Sequence, residues 1–261
     1  MKIISQQPFF NKNSKPPAFT SNMREIVVKT ADGGLSKVVN RNTTHFFRGD
    51  LIWADFARHL IEKYENISKV NINIQACSDG SEAYSLAMML ISKLGDGAKK
   101  FFPIIAKDKD DFYLSTVKQG KVPIQISDLS QIEINTGKKT QEFLTIDKEP
   151  LRIDNEIYCT AQMNDKLRSA VVFEQADVLE DIDNIKKDNT VLMVRNFWSY
   201  LNGEEKTLAQ KIDKNLGENS MCVIGEYEEG GDAPRYLRNV GFKDSKIKNC
   251  FEKEPYQMTF Y

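Results

Sequence analysis

Three polar groupings in this 261-residue chain have residue types and spacing that could do chemistry. The first, Ser78-Asp79-Gly80-Ser81-Glu82, follows the alternating run Val70-Asn71-Ile72-Asn73-Ile74. It has one glycine and two acids, so it lacks both the three glycines of a dinucleotide loop and the lysine of a triphosphate loop. Negative charge there suits a ligand bearing an ammonium or sulfonium group. On spacing alone, an ordinary strand-to-helix turn with capping acids fits equally well. The second is Asp108, 28 residues beyond Gly80 at the end of a second predicted strand. A carboxylate at that place can accept both hydroxyls of a ribose, although acids at strand ends are common. The third, Asp177, follows the next core strand, placed to meet an adenine edge. A nucleoside with a cationic tail, S-adenosylmethionine (SAM), would satisfy all three.

Such groups need a scaffold that sets strand ends side by side. Residues 50–65 predict a helix, with Leu51, Ile52, Phe56, Leu60, Ile61 and Tyr64 at helical spacing and Asp50 as its cap. Residues 70–74 alternate like a strand, 82–94 carry a helical apolar face, 101–106 are apolar, and 111–118 suit a short helix. Strand, helix, strand, helix in this order predicts an α/β domain with parallel strands. The stretch 120–160 breaks the rhythm and reads as a small inserted subdomain. Within it, 132–135 and 142–146 form a predicted hairpin about a turn at 136–139, with a helical turn over 139–144 as the alternative. Beyond it, 167–173 leads to an acidic stretch, and 190–194 is a buried strand ending at Arg195-Asn196. A helix over 203–216 follows, with Asn202 and Glu205 spaced as a capping box and Gly217 as its stop. Residues 220–225 predict a strand, and 256–261 a closing strand. At the other end, 1–22 reads as an irregular arm and 24–30 as a short strand.

Composition narrows the classes. Hydrophobic residues make up 41% and charged residues 28%, and a chain of this length buries about 70–75% of its unfolded surface. Disorder is therefore not its main state. Apolar stretches such as 87–91 are far below the ~18–20 residues of a membrane-spanning helix. The first residues lack a signal peptide's apolar core, so a cytoplasmic protein without membrane insertion is expected. Four scattered cysteines without a CxxC pair, and only His45 and His59, predict no metal site. A net charge of −1 gives no pull toward nucleic acid. Residues 1–48 nevertheless carry eight Lys/Arg against Glu25 and Asp32. That is either a solvated basic arm or an attraction for an acidic partner.

Six segments in register then resemble a known family. Asn42-Thr43-Thr44-His45-Phe46-Phe47-Arg48 is similar to the N-x-T-x-F-F-R segment of the CheR family, SAM-dependent methyltransferases that esterify glutamates on chemotaxis receptors. Ala76-Cys77-Ser78-Asp79-Gly80-Ser81-Glu82-Ala83-Tyr84-Ser85 resembles its A-C-S-x-G-E-E-P-Y-S/T. Ala106-Lys107-Asp108-Lys109-Asp110 resembles A-T-D-I-D, and Phe173 to Leu179 resembles F-x-x-x-N-L-L. Val194-Arg195-Asn196-Phe197-Trp198-Ser199-Tyr200-Leu201 is similar to C-R-N-V-L-I-Y-F, and Ile224-Gly225-Glu226-Tyr227-Glu228 to L-G-x-S-E.

The resemblance implies a Rossmann-like class I methyltransferase sheet with helices on both faces, over residues 41–261 behind a basic arm at 1–40. It implies that Asn42, Thr44 and Arg48 close over the methionine part of SAM, with Arg48 near the reacting methyl. Ala76, Ser78 and Gly80 would shape the first turn, with Glu82 meeting the SAM amino group. Asp108 would take the ribose, and Asp177 with Val178 the adenine. Arg195, Asn196 and Tyr200 would line the methyl-acceptor side. The implied reaction needs no metal, releases S-adenosylhomocysteine, and acts on an acidic protein such as a chemoreceptor's cytoplasmic region. A monomer is expected, and the insert occupies the place of a β-subdomain that some family members use to dock a receptor tail. Three departures stand out. Asp177 replaces asparagine, Ser81 and Ala83 replace Glu and Pro, and the family's basic helical N-terminal domain has no counterpart. They motivate an alternative, a CheR-like domain that binds SAM or its product and signals with weak or no catalysis. A nicotinamide oxidoreductase on a similar sheet is disfavoured by the missing glycine fingerprint.

Overall fold

A computed structural model of the chain describes residues 24–29, 35–40, 44–146, 151–153, 156–185, 188–229 and 231–253. Asn42, the arm predicted over 1–22 and the strand predicted at 256–261 lie outside the described residues.

The chain opens with an antiparallel hairpin, β1 (Arg24–Lys29) and β2 (Leu35–Asn40), so the second half of the expected arm is a strand pair. Next come α1 (Trp53–Lys63), β3 (Asn71–Gln75), α2 (Ser81–Leu94), β4 (Ile104–Asp108) and α3 (Asp111–Val117). The insert holds β5 (Lys121–Gln125), α4 (Ile126–Thr136), β6 (Leu144–Ile146), β7 (Leu151–Ile153) and β8 (Glu156–Met163). Then follow α5 (Asp165–Ala170), β9 (Val171–Gln175), α6 (Val178–Asp181), β10 (Thr190–Met193) and α7 (Glu205–Asn215). The last elements are β11 (Met221–Val223), α8 (Glu226–Glu229), α9 (Ala233–Asn239), β12 (Phe242–Asp244) and β13 (Cys250–Lys253). Among the described residues, no helix is long and apolar enough to cross a membrane.

Seven strands form the Rossmann-like sheet in the order β9-β4-β3-β10-β11-β13-β12. The first five are mutually parallel, and β13 runs antiparallel to both neighbours. Burial on both faces explains why the central strands β10 and β11 read as apolar runs. In β10, Val191 and Met193 join the core shared with α1 and α2, whereas Leu192 and the following Val194 join the core under α7 and α9. A half-turn alternation thus feeds two cores. α2 is buried almost all round, as a helix enclosed by neighbours must be. The strand order reverses between β3 and β10, and ligand crevices of open α/β sheets form at such a point.

Three expectations are corrected, and one pair of strands was not expected. Residues 132–135 are helical and not a hairpin arm. Their four-residue alternation was outweighed by Asp128, Ile132 and Thr136, which are buried at helical spacing, by the Gln125/Asp128 capping box and by Gly137 in the left-handed C-cap. Ile134, which suggested a strand, is left exposed. The insert is still a β-subdomain, because β5, β6 and β7 all pair antiparallel with β8. Asp50 does not cap α1, whose N-cap is Ile52 without a side-chain bond. Asn202 and Glu205 form no capping box either, since Asn202 sits at φ 50° in a left-handed turn before a helix that begins at Glu205. Finally, the sheet is closed within the described residues by the short hairpin β12–β13, which the sequence pattern did not reveal.

One polar cluster ties α1 to that hairpin. Glu252 Oε1 lies 2.6 Å from His59 Nε2 and accepts from Ser245 Oγ at 2.7 Å, and its Oε2 pairs with Lys63 Nζ at 2.9 Å. These partners, the His59 bond first, hold the Glu252 carboxyl down at about 2 against an ordinary 4.5. A depressed carboxyl contributes stability above its unfolded value and loses it as pH falls through the folded one. Glu252→Gln should therefore cost about 1–2 kcal/mol at pH 7. Urea unfolding of the two proteins should converge as pH drops from about 4.5 toward 2. A gap that stays constant over that range would contradict this account.

Candidate active site

The turn at 76–82, Asp108, Asp177 and Arg195-Asn196 lie at the carboxyl ends of the parallel strands β3, β4, β9 and β10. After β3 the chain makes a tight turn with Ala76 at φ 54°, Ser78 at 50° and Gly80 at 78°. Two non-glycine residues in the left-handed region cost of order 1 kcal/mol each and mark a constrained turn. Gly80 has no substitute, because a Cβ there would come within 2.6 Å of Val117 Cγ2 and 2.8 Å of Phe173 Cε1. The turn is locked to β4, for Ser78 N–H donates to Asp108 Oδ2 at 2.8 Å and Asp110 N–H to Asp108 Oδ1 at 2.9 Å. Each Asp108 oxygen keeps lone-pair capacity for a second donor. Ala176 N–H donates to the Asp108 carbonyl at 3.0 Å, which brings the start of α6 alongside. There Asp177 caps α6, its Oδ1 accepting from Leu179 N–H at 3.0 Å, and Val178 is half-buried against the core.

Arg195, just past β10, is the centre of charge. Its side chain is 1% exposed and pairs with Glu82 Oε2 at 2.5 Å through Nη1 and with Asp50 Oδ1 through Nη2. Its guanidinium carbon stands 5.5 Å from the centroid of the buried Trp53 ring. Asp50 Oδ2 also accepts from Asn196 Nδ2 at 3.2 Å and from Glu226 N–H at 3.4 Å, and lies 3.8 Å from Arg48 Nε. Burial raises the Glu82 carboxyl, Arg195 opposes that rise, and the Asp50 charge adds to it. Arg48, Glu82, Arg195 and Asn196, four residues to which the sequence resemblance gave separate roles, meet around Asp50 and Arg195. Asp50, read as a helix cap, is the member that sequence reasoning missed.

The loops after β10 and β11 have their own support. Gly225 N–H donates to Glu228 Oε2 at 2.6 Å, and Trp198 N–H to Glu228 Oε1 at 3.3 Å. A Cβ at Gly225 would strike Asn196 Oδ1 and lie 2.5 Å from Glu228 Oε2, so only glycine fits. This explains the Gly-x-x-Glu spacing at 225–228, a signal visible in the sequence but given no role. Tyr200 ends the turn that follows and is half exposed.

The Thr44–Arg48 segment is clamped from two sides. Phe47 N–H donates to Ser85 Oγ of α2 at 2.9 Å. Phe46 N–H bonds the carboxylate of Asp128, a buried residue of the insert's α4. Burial raises the Asp128 carboxyl to about 7, and the nearby Asp79 adds to the rise. Asp79 itself is raised by burial to about 6, although Ser81 N–H and Oγ both donate to it. Thr44 stands half-buried at the start of this segment.

Comparison with known proteins follows this geometry. A family profile described as CheR methyltransferase, SAM binding domain, matches residues 42–245. A chemotaxis protein methyltransferase of Listeria monocytogenes is 26% identical over 196 residues, which is 74% of this chain and 67% of that protein. Chemotaxis protein methyltransferase 2 of Pseudomonas aeruginosa is 27% identical over 207 residues, 77% of this chain and 68% of that protein. Among solved structures, precorrin-6y C5,15-methyltransferase from Geobacter metallireducens overlays 88% of this chain and all of that chain at 10% identity and a TM-score of 0.38. The profile match spans the strand-end turns, the Arg195 cluster and the insert without a break, and the chain belongs to the CheR methyltransferase family by its SAM-binding domain.

Proposed function

We propose that this chain transfers the methyl of SAM to a carboxylate on an acidic protein, a glutamate of a chemoreceptor-like cytoplasmic region, in the cytoplasm. The observation that carries the reading is the balanced cluster of Arg48 and Arg195 with Asp50 and Glu82 at the point where the strand order reverses. The residues fit the ligand chemically. Glu82 is a partly exposed carboxylate for an ammonium, and Asp108 is oriented by two backbone donors for a ribose. Buried Ser78 Oγ, Arg195 Nε and Asn196 Oδ1 have no hydrogen-bond partner among the described residues, which leaves unused polar capacity in the first turn and the Arg195 cluster.

Bound SAM supplies a sulfonium methyl open to attack by a nucleophile. A glutamate carboxylate is already ionised near pH 7, so the chain needs no general base. Its work is alignment and exclusion of water. Arg48 would hold the incoming carboxylate by charge-assisted hydrogen bonds, and Tyr200, half exposed at the rim, would orient it. Thr44, with Asn42 before it, would cover the methionine part. Ala76 and Gly80 supply the backbone turn beneath it, while Arg195 and Asn196 back the acceptor side. Asp177 and Val178 would border the adenine. Aspartate and asparagine are about equally good N-caps, so Asp177 preserves the start of α6 and would accept the adenine amino hydrogen with Oδ2.

Incubation with methyl-tritiated SAM and a chemoreceptor cytoplasmic fragment should give base-labile label on glutamate. SAM binding in calorimetry without label on any acidic protein would instead favour a signalling domain. Arg48→Ala and Tyr200→Phe should lower turnover about 100-fold while SAM affinity changes about threefold or less. Unchanged turnover in both variants would remove these roles. Gly225→Ala should displace Asn196 and the Glu228 carboxylate, costing about 2 kcal/mol of stability. Thermal melting of the variant against the parent protein checks this, and an unshifted midpoint would refute it.

A further inference from the structure

Asp50 has no place in the motif roles above, yet it is among the most connected side chains of the site. It comes from the segment after Arg48, is 4% exposed, and meets groups from two other strand ends. Through Arg195 Nη2, Asn196 Nδ2 and Glu226 N–H it holds the ends of β10 and β11. Arg195 in turn reaches Glu82, at the start of α2, through its other terminal nitrogen. The guanidinium is therefore shared between two carboxylates, with Arg48 near the first of them.

Sharing has an electrostatic consequence. If Glu82 were the sole carboxylate on Arg195, the buried pair would be neutral and would offer little to a ligand cation. With Asp50 present, Arg48 and Arg195 are balanced by two carboxylates, whereas without it the cluster would be one charge positive around Glu82 and would repel a ligand cation. Glu228, the other buried carboxylate near by, cannot stand in for Asp50, because it accepts from Gly225 N–H and Trp198 N–H. We infer that Asp50 is a positioning residue that holds Arg195 so that Glu82 can receive the ammonium group of SAM. This rests on the reading of Glu82 as the contact for that group.

The test is calorimetric titration of wild type, Asp50→Asn and Asp50→Glu with three ligands. SAM carries an ammonium and a sulfonium, S-adenosylhomocysteine only the ammonium, and methylthioadenosine neither. Asp50→Asn should weaken SAM by about tenfold or more, S-adenosylhomocysteine by less, and methylthioadenosine by under about twofold. Asp50→Glu should recover most of the loss. Equal weakening of all three ligands would reduce Asp50 to a structural tether, and no weakening of SAM would overturn the inference outright. Should wild type bind methylthioadenosine as tightly as SAM, the Glu82 assignment itself fails, and the role of Asp50 fails with it. Should Asp50→Asn not fold, Asp50→Ser carries the comparison, and its losses must then follow the same graded order.

Discussion

A guanidinium with 1% of its side chain exposed has to be paired where it lies, and that constraint organises this site. Leaving a buried charge without its partner costs about 3–5 kcal/mol, a large fraction of a domain's whole stability. Arg195 meets the requirement with Asp50 from the segment before α1 and Glu82 from α2. Three regions distant in sequence are thereby fixed at one point. Because β10 lies beside β3 in the sheet, the pairing also spans the place where strand order reverses. The guanidinium packs near the Trp53 ring, so the apolar side of the cluster continues into the core shared with α2.

The rest of the carboxyl edge follows the same logic in a milder form. Asp108 fixes the first turn by accepting backbone N–H groups, Glu228 fixes the loops after β10 and β11, and Asp177 starts α6. Carboxylates satisfied by backbone donors let loops cross near the sheet's edge without orphaned amides. Asp128 extends this to the insert. By bonding Phe46 N–H it ties α4 to the segment that carries Arg48, so the insert is joined to that segment and is not a detached appendage. Burial of Asp79 and Asp128 on either side of that segment, with their carboxyls raised to about 6 and about 7, places two groups there that titrate near neutrality.

The alternating and helical periods of 70–94 and 190–194 were legible because each element buries a continuous pattern. The strand-end groups were legible because Gly80, Asp108 and Arg195 follow such elements directly. What failed has local causes. A four-residue alternation at 132–135 cannot be told from a helical face when only one of its isoleucines is buried. The closing strands β12 and β13 are three and four residues long and owe their pairing to β11, so they carry no period of their own. Asp50 stands three residues before the start of α1, close to where aspartate caps are common. Nothing local shows that its partner lies 145 positions away.

Charge also argues for the kind of acceptor the site prefers. Arg48 and Arg195 cancel Asp50 and Glu82 within the cluster, so the ionised groups add no net field before ligand enters. A bound SAM brings an ammonium, a carboxylate and a sulfonium, leaving the region one charge positive at the moment an acceptor arrives. An anionic acceptor restores neutrality and meets Arg48 on the way. A cationic amine would face that charge in a place where burial weakens screening and would need a base to lose its proton. Asp79 and Asp128, the two acids that titrate near pH 7, are already engaged with Ser81 and with Phe46 N–H. On the proposed reading, the cluster's charge favours a nucleophile that comes already ionised, which among protein side chains at neutral pH is chiefly a carboxylate.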